Sequence, residues 1–170
     1  MGGGGAVTEI KETIARYLAG WTGLSRVEIL CEYPKERAFP IRRPTLVVGL
    51  EGVDLSPAGL DSYLGRDPSS PPGQVTTLYG STAILTLRLD LYLPGSDGSG
   101  CHRLYEEICA ALTHRAAGFG LLRVWCDAVK YESAMAASRL TARAALRAAF
   151  TGRETAEEIR DYQVRSELYV

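Results

Sequence analysis

The sequence predicts an α+β fold in which two amphipathic helices pack on one face of a mainly antiparallel β-sheet. Three observations lead there. Residues 7–19 and 100–116 carry apolar side chains at spacings of three and four, the pattern of a helix with one buried face. Residues 82–93 alternate strictly, with Ala83, Leu85, Leu87, Leu89, Leu91 and Leu93 on one side. Residues 138–150 also alternate, although they are rich in Ala, Arg and Leu.

In chain order, residues 7–19 form the first helix. Val7, Ile10, Ile14, Tyr17 and Leu18 make its apolar stripe, and Gly20 and Gly23 signal its end. The glycines of MGGGGAV have no side chains to bury, so residues 1–6 are expected to be a flexible leader. In residues 26–33, Val27, Ile29 and Cys31 lie opposite Glu28 and Glu32, which predicts a short half-buried strand ended by Pro34. PKERAFPIRRP is a charged loop, and TLVVGL after Pro44 predicts a second strand. Residues 52–74 hold four prolines and four glycines and predict a long loop, pinned locally by SYLG. Two readings of it stay open: a surface loop that orders on a partner, and a disordered insertion.

The long strand 82–93 has a second, wetter face of Ile84, Thr86, Arg88, Asp90 and Tyr92. PGSDGSG leads from it into the second helix. That helix has a stripe of Cys101, Leu104, Tyr105, Ile108 and Leu112, with Ser99 near its N-cap and Gly118 as C-cap. Residues 121–131 predict a strand with Leu122, Val124 and Cys126 on one face; Val129 and Tyr131 break the parity, which predicts a bulge. Propensity alone would make 138–150 a helix. At about 100° per residue, however, Leu146 and Phe150 would fall among Arg139 and Arg143. As a strand, Leu140, Ala142, Ala144, Leu146, Ala148 and Phe150 share one side and Arg139, Thr141, Arg143 and Arg147 the other. A hairpin with the preceding strand follows. A turn at RETAEE and a C-terminal strand bearing Tyr162, Val164, Leu168 and Val170 complete residues 7–170 as a single domain.

Composition bounds the function. With 170 residues and 46% apolar content, the chain is large enough for a core and too apolar for disorder. A formal net charge of -1 excludes a domain drawn to nucleic acid by overall charge, though not a local basic patch. No apolar run approaches the roughly 18 to 20 residues of a membrane helix. The first residues lack the basic and apolar regions of a secretory signal, which makes cytoplasmic synthesis the default expectation. Two histidines and four scattered cysteines offer little for a metal site, and Cys31, Cys101, Cys109 and Cys126 read as buried free thiols.

No motif specifies an enzyme or a cofactor. GSDGSG has neither dinucleotide nor Walker spacing and no following Lys, so it reads as a flexible connection. His102 and Glu106 sit one helical turn apart, away from the apolar stripe, and read as an exposed pair rather than an acid/base couple. No G-x-S-x-G, H-E-x-x-H or Cys–His constellation occurs. Arg139, Arg143 and Arg147 line one strand face at every fourth residue, and Arg123 joins from the neighbouring strand. Such a face is a wet outer surface, an intersubunit contact, or a wall past which a polyanion moves.

The order and texture of these elements resemble the small tail terminator, or tail completion, proteins of tailed bacteriophages and contractile tail particles. The resemblance is carried by VTEIKETIARYL, PKERAFPIRRPTLVVGL, the loop with SYLG, TAILTLRLDLYLP, CHRLYEEICAAL and VWCDAVKYESAMAASRLTARAALRAAF. It covers most of residues 7–151. It implies a structural protein of the virion tail, assembled in the bacterial cytoplasm, with no enzymatic activity, cofactor, metal or membrane. It implies a homo-oligomeric ring, typically a hexamer, that caps the head-proximal end of the tail tube and stops its polymerisation. Its partners would be the tail tube protein, the neck or connector and, in contractile tails, the sheath, with DNA as passing cargo. The intersubunit or lumen-facing residues would then be Arg139, Arg143, Arg147, Arg123, Arg88, Tyr63 and Tyr92. The alternative is a small α+β enzyme or ligand-binding domain with a pocket under the 52–74 loop.

Overall fold

The computed structural model describes residues 3–32, 41–58, 62–114 and 120–157. The fold is α+β, with two helices and a mixed, mostly antiparallel sheet. In chain order it comprises α1 (Gly3–Ala19), a 3-10 turn (Thr22–Leu24), β1 (Glu28–Leu30), β2 (Thr45–Pro57), β3 (Tyr63–Arg66) and β4 (Gln74–Pro94). Then come α2 (Gly98–Thr113), β5 (Gly120–Cys126), β6 (Lys130–Glu132), a second 3-10 turn (Ser133–Met135) and β7 (Ala137–Glu157). The seven strands form one sheet of order β1-β2-β4-β7-β5, with β3 on β4 and β6 on β7. β1 runs parallel to β2, whereas β3–β4, β5–β7 and β6–β7 are antiparallel.

Contacts divide the chain into two compact units: residues 1–54 with 83–148, and residues 55–82 with 149–170. The first unit holds the core. Leu85, Leu87, Leu89 and Leu91 of β4 meet Ile14 and Leu18 of α1, Ile108 and Leu112 of α2, and Leu46 and Val48 of β2, all buried. From β7 come Leu140, Ala142, Ala144 and Leu146. The alternation of both long strands therefore sets which side chains the helices cover. Trp21 joins the helical layer by donating from Nε1 to Glu107 at 3.1 Å, and its ring meets His114 edge-on at 5.5 Å.

The second unit is built differently. β3 pairs with the start of β4, Thr76 and Thr155 share a hydroxyl hydrogen bond of 3.1 Å, and Asp67 lies 3.6 Å from Arg153. Polar contacts and strand pairing hold it, and none of its described apolar side chains is fully buried.

Several expectations change. Residues from Gly3 belong to α1 rather than to a leader, because an established helix adds a hydrogen bond for each residue appended. The first predicted strand shortens to Glu28–Leu30. The 52–74 region is largely strand: β2 continues to Pro57, and SYLG becomes β3 apart from Ser62, which takes φ 65°. The prolines there fall at strand ends and in the Asp67–Gln74 turn, where a missing N–H costs nothing. The RETAEE segment is strand through Glu157 and not a turn.

The N-cap of α2 is Asp97, whose Oδ1 accepts from the Gly100 N–H at 3.0 Å and the Ser99 hydroxyl at 2.7 Å. The helix ends at Thr113 with His114 as its C-cap; Gly118 and the C-terminal strand 162–170 lie outside the described residues. All four cysteines are free, Cys101 fully buried and the others half-buried, and burial pushes the Cys101 and Cys109 thiols up.

The bulge lies at the start of β5 rather than near Val129. Leu121 pairs with Leu146 and Arg123 with Ala145, so Leu122 is the extra residue. Leu121, Val124 and Cys126 consequently pack on the core, while Leu122 is exposed.

Candidate functional site: a charged cleft on the polar face of the sheet

The side chains of β4 and β7 that point away from the main core carry the charge. On β4 these are Arg88, Asp90 and Tyr92; on β7 they are Arg139, Thr141, Arg143 and Arg147. Because β4 and β7 are neighbours in the sheet, their polar faces merge.

Asp90 is the hub and is only 1% exposed. Its Oδ1 accepts from Thr141 Oγ1 at 2.6 Å, Arg139 Nη2 at 3.0 Å and Arg139 Nε at 3.3 Å. Its Oδ2 accepts from Arg88 Nε at 2.8 Å. These charge-assisted hydrogen bonds offset the cost of burying the carboxylate. Arg139 also donates from Nη1 to Glu132 at 3.2 Å, and its guanidinium lies 5.7 Å from the centre of the Tyr92 ring. Burial acts to lower the Arg139 pKa, but the hydrogen bonds and charge of Asp90 outweigh it and hold the group above the usual arginine value.

A second node sits two residues along β7 from Thr141. Arg143 donates from Nη1 to Asp127 at 3.0 Å and from Nε to Glu51 at 2.8 Å. Those two bonds, Asp127 first, hold its pKa above the usual value. Asp127 is itself fixed against β7 by its N–H, which donates to the Thr141 carbonyl at 2.9 Å. Lys130 of β6 stands directly opposite Arg139 in register. Together Arg88, Asp127, Ala128, Lys130, Glu132, Arg139, Thr141 and Arg143 line a cleft of about 220 Å³.

The residues singled out from the sequence separate into groups. Arg88, Arg139 and Tyr92 gather around Asp90, and Arg143 adjoins them. Tyr92 is buried, 3% exposed, in a small cluster with Val47 and Ala137, so its ring is not a surface available to a neighbour. Arg123 lies over the Trp125 ring at 3.9 Å, and Arg147 is exposed opposite Gly120. Tyr63 belongs to the second unit, paired with Tyr79. His102 and Glu106 are exposed on α2.

The acids that organise the arginines were not singled out: Asp90, Glu132, Asp127 and Glu51. Only Asp90 carried a signal, the Arg88–Asp90 alternation within a leucine strand. The cleft is formed by residues 88–143. Compared with protein-family models and with curated proteins, the sequence matches none.

Proposed function

We propose that this chain is a structural subunit of a phage tail or tail-like particle. In this reading it is a tail terminator or completion protein whose copies form a ring on the head-proximal end of the tail tube. The observation that carries the reading is the composition of the second unit. None of its described apolar side chains is fully buried, while Leu55, Tyr63 and Leu64 are 61%, 50% and 47% exposed. Apolar area left in water forfeits about 25 cal/mol per Å². Strands that keep such side chains exposed are suited to completing their burial against another chain. Heterologous contacts between copies that close by rotation give a ring.

The sequence resemblance supports the same role. The partners that follow are the tube protein, the neck and, in a contractile tail, the sheath. The reading needs no catalytic group. Arg88, Arg139 and Arg143 hold carboxylates of their own chain, so among the arginines Arg123 and Arg147 are the better candidates for contact with a neighbour or with passing DNA.

The test is tube growth. Tail tube protein from the same particle, polymerised with this chain present, should give tubes that stop lengthening and bear a ring at one end. Tubes that lengthen without limit and carry no ring would overturn the proposal.

A further inference from the structure

The acids lining the cleft are engaged, and several of its donors are not. Glu132 accepts from Arg139 and Asp127 from Arg143. Among the described residues, by contrast, Arg88 donates only through Nε, and Arg143 only through Nε and Nη1. Lys130 lines the same cleft, exposed and without an ion pair among those residues. The Nη groups of Arg88, Nη2 of Arg143 and Nζ of Lys130 thus belong to side chains that surround one hollow from β4, β7 and β6. Both guanidiniums are already oriented, Arg88 by the buried Asp90 and Arg143 by Glu51 and Asp127. Donors fixed in advance lose little freedom when they bind.

Formal charge does not decide the ligand. Four cations and two acids line the cleft, and Asp90 and Glu51, bonded to its arginines, balance the difference. The directed N–H groups decide it. A planar carboxylate is matched by two parallel donors from one guanidinium, whereas donors arriving from three strands suit an acceptor with oxygens in several directions. The cleft measures about 220 Å³. That holds a phosphate with a few waters and falls below the ~300 Å³ at which pockets for larger ligands begin.

We propose that this cleft is a binding site for a small tetrahedral oxyanion of the phosphate class, held by Arg88, Lys130 and Arg143. The proposal is independent of the assembly reading. It is tested by calorimetric titration of the full chain with inorganic phosphate and, separately, with acetate, in low-salt buffer at neutral pH. Saturable one-to-one binding of phosphate is expected, about tenfold or more tighter than acetate. Lys130→Ala and Arg88→Gln should each weaken it about tenfold. Arg103→Gln, exposed on α2 and outside the cleft, should leave it unchanged. Lys130 takes no part in the Asp90 network, so its variant reports on binding even if Arg88→Gln perturbs folding. Absence of saturable phosphate binding, equal affinity for acetate, or indifference to Lys130→Ala would each overturn the proposal.

Discussion

Asp90 of β4 and Arg139 of β7 are joined by two hydrogen bonds to a single carboxylate oxygen, at 3.0 and 3.3 Å, where the carboxylate is almost wholly excluded from water. The pair ties the two longest strands together on the face opposite the leucine core. Its worth is asymmetric. Forming such a pair gains little over an apolar one, but removing a single partner strands the other.

Asp90→Ala is therefore expected to destabilise the fold by about 3 kcal/mol, read as a lower urea midpoint. Asp90→Asn, which still accepts from Thr141, should cost less. Equal stability of Asp90→Ala and the native chain would show that the network does not hold β4 to β7.

The bulge at the start of β5 predicts opposite outcomes at adjacent leucines. Leu121 packs on the core and Leu122 is exposed. Leu121→Ala should cost about 1–2 kcal/mol, below the roughly 2–5 kcal/mol of a fully buried leucine, because Leu121 is only partly buried. Leu122→Ala should be close to neutral. The reverse order in chemical denaturation would put the chain back in an unbroken alternation.

That pair also shows how far the sequence was legible. Strict alternation in 82–93 located the core strand, and alternation in 138–150 overrode helix propensity correctly, because burial against the helices rewards period two whatever the residue types. Local pattern did not reveal where pairing slips by one residue, since the slip between Leu121 and Arg123 exists only relative to β7. Residues 52–57 and 63–66 read as loop because prolines and glycines punctuate the stretch and its strands bury little. At the cleft, the arginines were visible as a stripe. Their acids come from β2, β4, β6 and the β5–β6 connection, and only the folded sheet brings them together.

Two glycines next to different kinds of atom should respond differently. A Cβ at Gly120 would stand 2.6 Å from the Arg147 carbonyl oxygen, which belongs to the paired backbone. A Cβ at Gly23 would meet the Glu107 carboxylate, the end of a flexible side chain. Gly120→Ala is expected to cost about 1–3 kcal/mol. Gly23→Ala should cost about 1 kcal/mol or less while displacing Glu107 from Trp21, visible as a change in tryptophan fluorescence. A larger loss at Gly23 than at Gly120 would contradict this placement of β5.

Asp97 gives the acid dependence a defined source. The Ser99 hydroxyl, followed by the Gly100 N–H, holds its carboxyl below the ordinary carboxylate value. A group depressed on folding contributes stability that is complete above the unfolded pKa and lost as pH falls through the folded one. Thermal melts of Asp97→Ala should be lower than native at neutral pH, and the gap should close as pH falls below the carboxylate range. A gap that persists there would mean that the charge of the cap is not what stabilises α2.

The central claim is that this chain completes itself against copies of its own kind, and the native mass of the purified protein tests it most directly. The account predicts a closed ring, formed alone or on addition of tail tube protein, and its loss in Leu55→Glu and Leu64→Glu variants that remain folded. A strict monomer under both conditions would contradict it.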